Sequence, residues 1–496
     1  MTANTAIPIA PVEHFINGQY RSSECERFDD LNPATNEPIT SVPSGTAADI
    51  DAAVRAARDA FDHGPWPRMS AKERGALLHR LGDLIAARAN DLAELETLDT
   101  GVPISQTRGA LIPRAAENFH FFADLAPRLQ GELYPVEGEF LNYTTRYPVG
   151  VAGLITPWNA PFMLETWKIA PCLAAGNTAV LKPAEWSPLT ANALGALAAE
   201  AGFPPGVFNV VQGLGETAGA ALVAHPGVQL ISFTGETSTG REIMRNGATT
   251  LKRLSMELGG KSPVIVFPDA DLDRALDAVV FGVYSLNGER CTASSRLLLH
   301  RDIYDSFAQE LSERVRRIRV GDPFDPRTEV GPLIHPEHAA RVRQALSRGI
   351  AEGAKLAVGG EMLAGPGNFI EPTLFLDATN QMHIAQQEIF GPVLTVIPFS
   401  DEAEAIRMAN DVRYGLAAYV WTGNIARGHR IASSLESGMV WVNSQNVRDL
   451  RTPFGGAKES GIGREGGEHS FHFYCETRTV HIALGEHRIP RFGVET

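Results

Sequence analysis

Three short stretches of the sequence carry side chains that together could perform thiol chemistry on a carbonyl group. Cys291 ends the run SLNGERC after a helical pattern over residues 272–284, Asn159 ends TPWN, and Glu257 stands in MELGGK. A thiol can attack a carbonyl carbon, a carboxamide can stabilise the resulting oxyanion, and a carboxylate can act as general base. Taken singly, each has an ordinary alternative as a core cysteine or a turn residue. Their combination favours a nucleophilic site at Cys291.

The elements that would position these residues form an alternating pattern of strands and helices. Such alternation, with nearly continuous apolar strands, predicts a parallel sheet covered on both faces, with ligands bound at the carboxyl ends of its strands. The residues at those ends are Asn159, Lys182, Glu185, Gly235 and Glu257. The predicted strands are 149–155, 178–182, 207–211, 230–235 and 263–267, with helical patterns around 162–174, 188–201, 217–224 and 239–247.

Helices also dominate the N-terminal part of the chain. Thr46 with Asp49, and Ser70 with Glu73, have the spacing of a capping box at the start of an amphipathic run. A further helix is predicted over Ile112–Leu125. We interpret these helices as scaffold, apart from Arg114 on the third helix.

Two strand-like stretches, 129–147 and 476–483, fall outside the alternation, and a second α/β pattern occupies about 260–460. We expect both stretches to leave the globule as antiparallel extensions. Exposed strands of this kind are normally paired by another subunit, so a homo-oligomer is expected.

Composition limits the functional classes. A chain of 496 residues with a net charge of −14 should form two or three domains and lacks the broad basic face of a nucleic-acid or acidic-membrane binder. The four cysteines have no paired spacing, the N-terminal stretch has no secretory pattern, and no apolar run is long enough to span a membrane. His335 and His338 are the closest histidine pair, and no metal site is predicted. A cytoplasmic protein is expected.

Seven short motifs follow one another along the chain: TPWN (156–159), LKPAE (181–185), FTG (233–235), MELGGK (256–261), GERC (288–291), EIFGP (388–392) and PFGGAKESG (453–461). Together they resemble the motifs of the NAD(P)-dependent aldehyde dehydrogenase superfamily. The resemblance implies an α/β fold with two Rossmann-like parallel-sheet domains and a small antiparallel β oligomerisation element, assembled as a dimer or dimer of dimers. The implied boundaries are 1–128 with 148–258 for the NAD-binding domain, 259–470 for the catalytic domain, and 129–147 with 471–496 for the bridging element.

The resemblance assigns a catalytic role to four residues. Cys291 would attack the aldehyde, and Asn159 with the backbone N–H of Cys291 would stabilise the oxyanion. Glu257 would activate the water that hydrolyses the thioester, and Glu476 would help to relay the proton.

The usual G-x-G-x-x-G signature is missing, so the cofactor residues also follow from the resemblance. A carboxylate at the ribose repels a 2′-phosphate, so Glu185 favours NAD over NADP. Two positions depart from the family pattern: Glu289 stands where Gln is common, and Glu236 where Ser is common. The implied cofactor residues are Ile155, Thr156, Trp158, Lys182, Glu185, Phe233, Gly235, Glu236, Leu258, Glu388 and Phe390.

The substrate would be a small aldehyde, and the residues expected around it suggest its charge. The run from Asn443 to Phe471 resembles the family members that oxidise a carboxylate-bearing semialdehyde during breakdown of an aromatic acid. Arg114 and Arg448 would bind its carboxylates, with Arg451 nearby. The alternative is that these arginines form structural ion pairs with partners such as Asp449. The implied substrate residues are Arg114, Trp167, Ser285, Arg290, Thr292 and Arg448.

Three other interpretations stay open at this stage. The substrate could be another aldehyde, such as a hydroxymuconic, succinate-type or betaine-type aldehyde. CoA rather than water could take the acyl group, although Glu257 argues against it. A non-catalytic relative would be expected to lack the cysteine, carboxamide or carboxylate, and all three are present.

Overall fold

Two β-sheets, each packed on both faces, lie among the main hydrophobic clusters of the protein. The structure is a computed structural model that describes residues 11–134 and 140–493. Side chains alternate between the faces of a strand, and accordingly Leu154 and Ile155 pack in different hydrophobic clusters. Val264 and Ile265 divide in the same way in the second sheet. Burial on both faces explains the continuous apolar runs, and the α/β fold class with parallel sheets is confirmed.

Some predicted features fall outside the described residues. They are the N-terminal stretch 1–10, where no secretory signal is expected, and residues 135–139 and 494–496 of the expected oligomerisation element.

The first sheet has eight strands, of which the central five are parallel. Its antiparallel N-terminal hairpin turns at Asn17 and Gly18, both with positive φ as a tight hairpin turn requires. The strand predicted at 263–267 is Pro263–Val266, and it belongs to the second sheet. In order, the strands of the first sheet are Gln19–Arg21, His14–Ile16, Phe208–Val210, Thr178–Lys182, Val151–Ile155, Leu230–Thr234, Arg253–Glu257 and Gly461–Ile462.

The second sheet has seven strands and begins directly after Glu257-Leu258-Gly259-Gly260. An apolar run does not specify which sheet it joins, and the paired glycines let the chain cross from one sheet to the other within a few residues. In order, the strands are Lys355–Val358, Thr373–Leu376, Val393–Phe399, Arg296–His300, Pro263–Val266, Ala417–Trp421 and Met439–Val442. Smaller pairs join Arg27–Leu31 to Pro38–Pro43 and Tyr414–Gly415 to Ala457–Lys458.

Both capping boxes are confirmed, since Thr46 with Asp49 and Ser70 with Glu73 make the reciprocal backbone hydrogen bonds. The helix Ile112–Leu125 is also formed. The α-helices of eight or more residues are Ala47–Asp62, Ala71–Ala87, Ala89–Thr100, Ile112–Leu125, Pro161–Ala174, Leu189–Ala201, Thr237–Gly247, Leu272–Tyr284, Tyr304–Arg316, Pro336–Ala351, Glu402–Asn410, Ile425–Ser434 and Gly467–Tyr474. The shorter ones are Ile104–Gln106, Ala220–Ala224 and His383–Gln386.

The two extensions pair with each other inside one chain. Cys475–Ala483 runs antiparallel to Phe140–Pro148, from Cys475 opposite Pro148 to Ala483 opposite Phe140, and Leu133–Tyr134 adds a third strand. Pairing within the chain corrects the expectation that another subunit pairs these strands, because each supplies the hydrogen-bonding partner of the other.

Within residues 11–134 and 140–493, no helix combines the length and apolar character needed to cross a membrane.

Candidate active site

A cavity of about 770 Å³ lies beside the carboxyl ends of the first sheet's parallel strands, and segments that follow strands of the second sheet also line it. Cys291, Asn159 and Glu257 all line it. Its volume is in the range of small-molecule and cofactor sites. The structure therefore brings together the thiol, carboxamide and carboxylate that are distant in sequence.

The loop that carries Cys291 has an unusual backbone. Leu286, Asn287 and Gly288 are consecutive residues with φ of 52°, 56° and 74°. The Asn287 side chain holds this turn, because its Nδ2 donates to the carbonyl of Pro332 at 2.9 Å and its Oδ1 accepts from the N–H of Gly331 at 2.7 Å. A Cβ on Gly288 would lie 2.2 Å from the carbonyl carbon of Gly391. The GERC and EIFGP motifs are thus in direct contact, and only glycine fits between them.

The Cys291 thiol is held protonated in the free protein. Its pKa is raised to about 12, first by burial and then by the carboxyls of Glu388 and Glu257, while the Arg290 guanidinium opposes this shift. The neighbouring Glu289 is buried, and burial raises its pKa well above the ordinary value. Burial therefore favours the neutral form of the Glu289 carboxyl, and attack by Cys291 needs a group that accepts the thiol proton.

Asn159 is tied to the same loop. Its Nδ2 donates to the carbonyl oxygen of Glu289 at 2.8 Å, and its side chain is buried. Because a carboxamide nitrogen has two N–H donors, one hydrogen bond fixes the orientation and the second donor is left for a ligand. This arrangement suits stabilisation of an oxyanion close to Cys291.

Glu257 ends the strand Arg253–Glu257, and neither carboxyl oxygen has a hydrogen-bond partner within the part of the chain that the structure describes. A Cβ on Gly455 would lie 2.8 Å from Glu257 Oε1, so the PFGG motif passes directly over the carboxyl. The pKa of Glu257 is raised well above its ordinary value, first by burial and then by Glu465. A carboxyl with a raised pKa is suited to general base catalysis near neutral pH.

Glu465 is a site residue that the sequence analysis missed, and it occupies the position expected for Glu476. Glu465 is buried, its Oε1 accepts from Lys168 Nζ at 2.7 Å and from Ser232 Oγ at 3.1 Å, and it lines the cavity. Glu476 lies instead on the extension Cys475–Ala483, with its carboxylate 3.3 Å from Arg253 and 40% exposed. The prediction for Glu476 is therefore corrected, because its carboxylate lies away from the cavity. A clue was available, since Glu465 closely follows the PFGGAKESG motif.

Glu388 and Phe390 form another wall. Glu388 Oε1 accepts from the N–H of Gly260 at 2.9 Å, and burial raises the pKa of Glu388 to about 7. A Cβ on Gly259 would lie 2.2 Å from Glu388 Oε2. The Phe390 ring meets Trp158 edge to face at 5.2 Å. The ELGGK and EIFGP motifs thus build one continuous surface.

The residues predicted to hold the dinucleotide fall into two groups. Lys182 donates to Glu185 at 2.8 Å, so an ammonium and a carboxylate are placed together beyond a strand end, where ribose hydroxyls could bind. The helix Thr237–Gly247 begins at the cavity, and a helix N-terminus suits a phosphate. These donors fit a nicotinamide dinucleotide. Trp158, Gly235, Glu236, Leu258, Glu388 and Phe390 line the cavity, whereas Ile155, Thr156, Lys182, Glu185 and Phe233 lie beside it at strand ends.

Arg114 and Arg448 both pack on Trp167, each guanidinium lying 5.5 Å from the indole ring. Within residues 11–134 and 140–493, neither guanidinium lies within salt-bridge distance of a carboxylate. Asp449, the expected alternative partner, pairs instead with Arg451 at 2.6 Å. The pKa of Arg448 is lowered to about 10, first by burial and then by the charge of Arg114. An anion between the two guanidiniums would relieve this repulsion.

Of the remaining predicted substrate residues, some line the cavity and one does not. Trp167, Arg290 and Thr292 line the cavity. Ser285 does not, because its hydroxyl donates to the carbonyl of Phe281 at 2.6 Å. The left-handed turn that follows brings Leu286 to the wall instead, which corrects the prediction for Ser285.

Comparisons with known proteins agree with this site. The profile of the aldehyde dehydrogenase family matches residues 20–480. The 5-carboxymethyl-2-hydroxymuconate semialdehyde dehydrogenase of Escherichia coli is 53% identical, over 92% of this chain and 98% of its own. The crystal structure of HpcC from Thermus thermophilus is 54% identical with a TM-score of 0.96, over 98% and 95% of the two chains. An NAD⁺ complex of an aldehyde dehydrogenase from Bacillus cereus is 42% identical with a TM-score of 0.95, over 96% and 97%.

Proposed function

This chain belongs to the aldehyde dehydrogenase family and is an oxidoreductase that acts on aldehydes with NAD(H), and from that premise we propose that it oxidises a carboxylate-bearing semialdehyde through a covalent intermediate on Cys291. The observation that carries the proposal is that Arg114 and Arg448, which have no carboxylate within salt-bridge distance among the described residues, line the same cavity as Cys291, Asn159 and Glu257.

Cys291 loses its proton to Glu257 or to water, and Sγ bonds to the aldehyde carbon. The carbonyl oxygen becomes an oxyanion, which Asn159 Nδ2 and the backbone N–H of Cys291 stabilise. When bound, NAD⁺ supplies the acceptor for the hydride that leaves this carbon. A thioester on Sγ results. Glu257 then takes a proton from the attacking water, the C–S bond breaks, and the acid is released while Cys291 regains a proton. Glu465 and Lys168, beside Glu257, would pass protons onward.

NAD rather than NADP is the proposed cofactor. Glu185 stands beyond the strand Thr178–Lys182, and the nearby Lys182 lowers its pKa against the effect of burial, so it is ionised at neutral pH. Glu236 adds a carboxylate at the cavity wall. An ionised carboxylate accepts hydrogen bonds from ribose hydroxyls and repels a 2′-phosphate.

Replacing Glu185 by Gln should narrow this preference. We expect kcat/KM with NADP to rise and that with NAD to fall, changing their ratio by about tenfold, because like-charge repulsion is removed. Steady-state assays with both cofactors measure it, and Glu200→Gln, which removes an exposed carboxylate paired with Arg88, is the control. An unchanged ratio of the two kcat/KM values would show that Glu185 does not contact the ribose.

The second proposed specificity is for an aldehyde substrate that carries carboxylates. The E. coli relative is named for an aldehyde that carries carboxylates. This chain places Arg114 and Arg448 at the cavity and gives them no carboxylate partner within the described residues. Since the protein is net acidic, such a local pair of cations is what would attract an anionic aldehyde. We therefore propose 5-carboxymethyl-2-hydroxymuconate semialdehyde as its substrate.

Replacing Arg448 by Met should raise KM for a dicarboxylated semialdehyde by about 10- to 100-fold, the value of a charged hydrogen bond. For a neutral aldehyde of similar size the change should stay within about twofold, because no carboxylate contact is lost. Arg451→Met is the matched control, since Arg451 is exposed and already paired with Asp449. Equal changes for both aldehydes would contradict carboxylate recognition.

A homo-oligomer and a cytoplasmic location are also proposed. In the three-stranded sheet, Cys475–Ala483 and Leu133–Tyr134 are edge strands, with Leu133, Tyr134 and Ile482 exposed. An apolar edge of this kind is suited to a second subunit. Light scattering of the purified chain tests the first proposal, and a monomer would contradict it; cell fractionation tests the second.

A further inference from the structure

His338 is a buried histidine in the cavity wall with a defined tautomer. It lies near the start of the helix Pro336–Ala351 and is 5% exposed. Its Nε2 lies 2.7 Å from the carbonyl oxygen of Phe390. A carbonyl can only accept, so Nε2 carries the proton. The pKa of His338 is lowered to about 4, first by burial, so the imidazole is neutral at pH 7.

The carbonyl that His338 binds belongs to a strained residue. Phe390 has a φ of +58°, which a residue with a Cβ adopts only at a cost in free energy. Its ring lies 5.2 Å from Trp158, and the His338 ring lies 5.1 Å from the same indole. The hydrogen bond from Nε2 thus holds the Phe390 backbone in the conformation that places Phe390 and the nearby Glu388 on the cavity wall.

The same nitrogen also faces the loop that carries the nucleophile. Nε2 is 3.6 Å from Glu289 Oε1, and this oxygen accepts from the N–H of Ile334 at 3.0 Å. The carbonyl of Glu289 accepts from Asn159 at 2.8 Å. His338 therefore stands where the cofactor wall and the Cys291 loop meet.

We propose that His338 is a positioning residue, whose neutral imidazole holds the Phe390 wall and so sets the affinity for the nicotinamide dinucleotide. This inference rests on the proposed function. It predicts that the N–H donor matters more than the aromatic ring. His338→Gln retains a donor but no ring, and His338→Phe retains a ring but no donor.

The test is the dissociation constant of NAD⁺, measured without aldehyde by quenching of tryptophan fluorescence, together with KM and kcat. We expect His338→Phe to weaken NAD⁺ binding and raise its KM by about tenfold, because a buried carbonyl loses its donor. His338→Gln should stay within about threefold. In both variants kcat at saturating NAD⁺ should change much less than KM.

Opposite behaviour, with His338→Phe near wild type and His338→Gln impaired, would overturn the proposal in favour of ring packing. Equal NAD⁺ affinities with lowered melting temperatures would show a purely structural role and would also overturn it. The control substitution is His429→Gln. His429 lies on the helix Ile425–Ser434, which contacts strands of the second sheet. If the wild-type chain itself bound no NAD⁺, the proposed function would fail, which is a distinct result.

Discussion

Replacing Glu257 by Gln should leave a protein that releases about one equivalent of NADH per Cys291 and then nearly stops. The first half of the reaction needs the thiol and the oxyanion donors, which remain, whereas hydrolysis of the thioester needs a base that activates water. We expect the steady-state rate to fall by about 10²- to 10⁴-fold, the usual contribution of a general base. Rapid-mixing absorbance at the NADH wavelength measures the burst, and mass spectrometry of the intact chain detects the acyl group on Cys291.

The pH dependence of the wild-type enzyme should agree with this assignment. Because burial and Glu465 raise the pKa of Glu257, its carboxyl loses its proton at a higher pH than an ordinary glutamate does. The rate of thioester hydrolysis should therefore increase as pH rises through this raised pKa, and the Gln variant should lack that increase. Restoration of turnover by added CoA would point to an acyl transferase instead. A burst amplitude near zero would indicate that Glu257 is needed before hydride transfer.

Replacing Cys291 by Ala should abolish oxidation, with a fall of about 10⁴-fold or more, as for the loss of a nucleophile that acts within a catalytic unit. Affinity for NAD⁺ should remain, because Lys182, Glu185 and Glu388 are unchanged. Cys25→Ala is the matched control, since Cys25 is also a free, partly exposed thiol but lies in the loop between the strands Gln19–Arg21 and Arg27–Leu31, away from the cavity.

Alkylation provides an independent measurement of the same thiol. With a pKa raised to about 12, the rate at which iodoacetamide modifies Cys291 in the free enzyme should rise about tenfold per pH unit from pH 7 to 9, without a plateau. A plateau near pH 8 would mean that the thiol has an ordinary pKa. Activity of Cys291→Ala within tenfold of wild type would exclude a covalent mechanism through this residue.

Much of the molecule could be predicted from local sequence, because local interactions decide it. The capping boxes at Thr46 and Ser70 depend on residues three apart, and the Asn17-Gly18 turn depends on two adjacent residues that tolerate positive φ. Continuous apolar runs predicted strands buried on both faces. The family motifs likewise predicted Cys291, Asn159 and Glu257, which the fold brings to one cavity.

The identity of the carboxyl beside Glu257 was decided only by tertiary structure. Glu465 and Glu476 are both acidic residues in the C-terminal part of the chain, and sequence does not show which one is buried. Glu465 follows the edge strand Gly461–Ile462 and is carried to Lys168, whereas Glu476 leaves on the three-stranded sheet. The prediction for Ser285 was wrong for a comparable reason. The left-handed turn that follows it brings the side chain of Leu286, rather than that of Ser285, to the cavity.

Which side chains pair with each other could likewise not be predicted from the sequence. Asp449 lies next to Arg448 but pairs with Arg451, so the Arg448 guanidinium at the cavity has no carboxylate partner in the described part of the chain. His338 and Phe390 are 52 residues apart, and their hydrogen bond exists only because the helix Pro336–Ala351 packs against the EIFGP segment at Val342 and Gly391. The sequence by itself determined which chemistry this protein can perform. Long-range packing decided which of the described charges lack a partner of opposite charge, and under the proposed function these charges select the aldehyde.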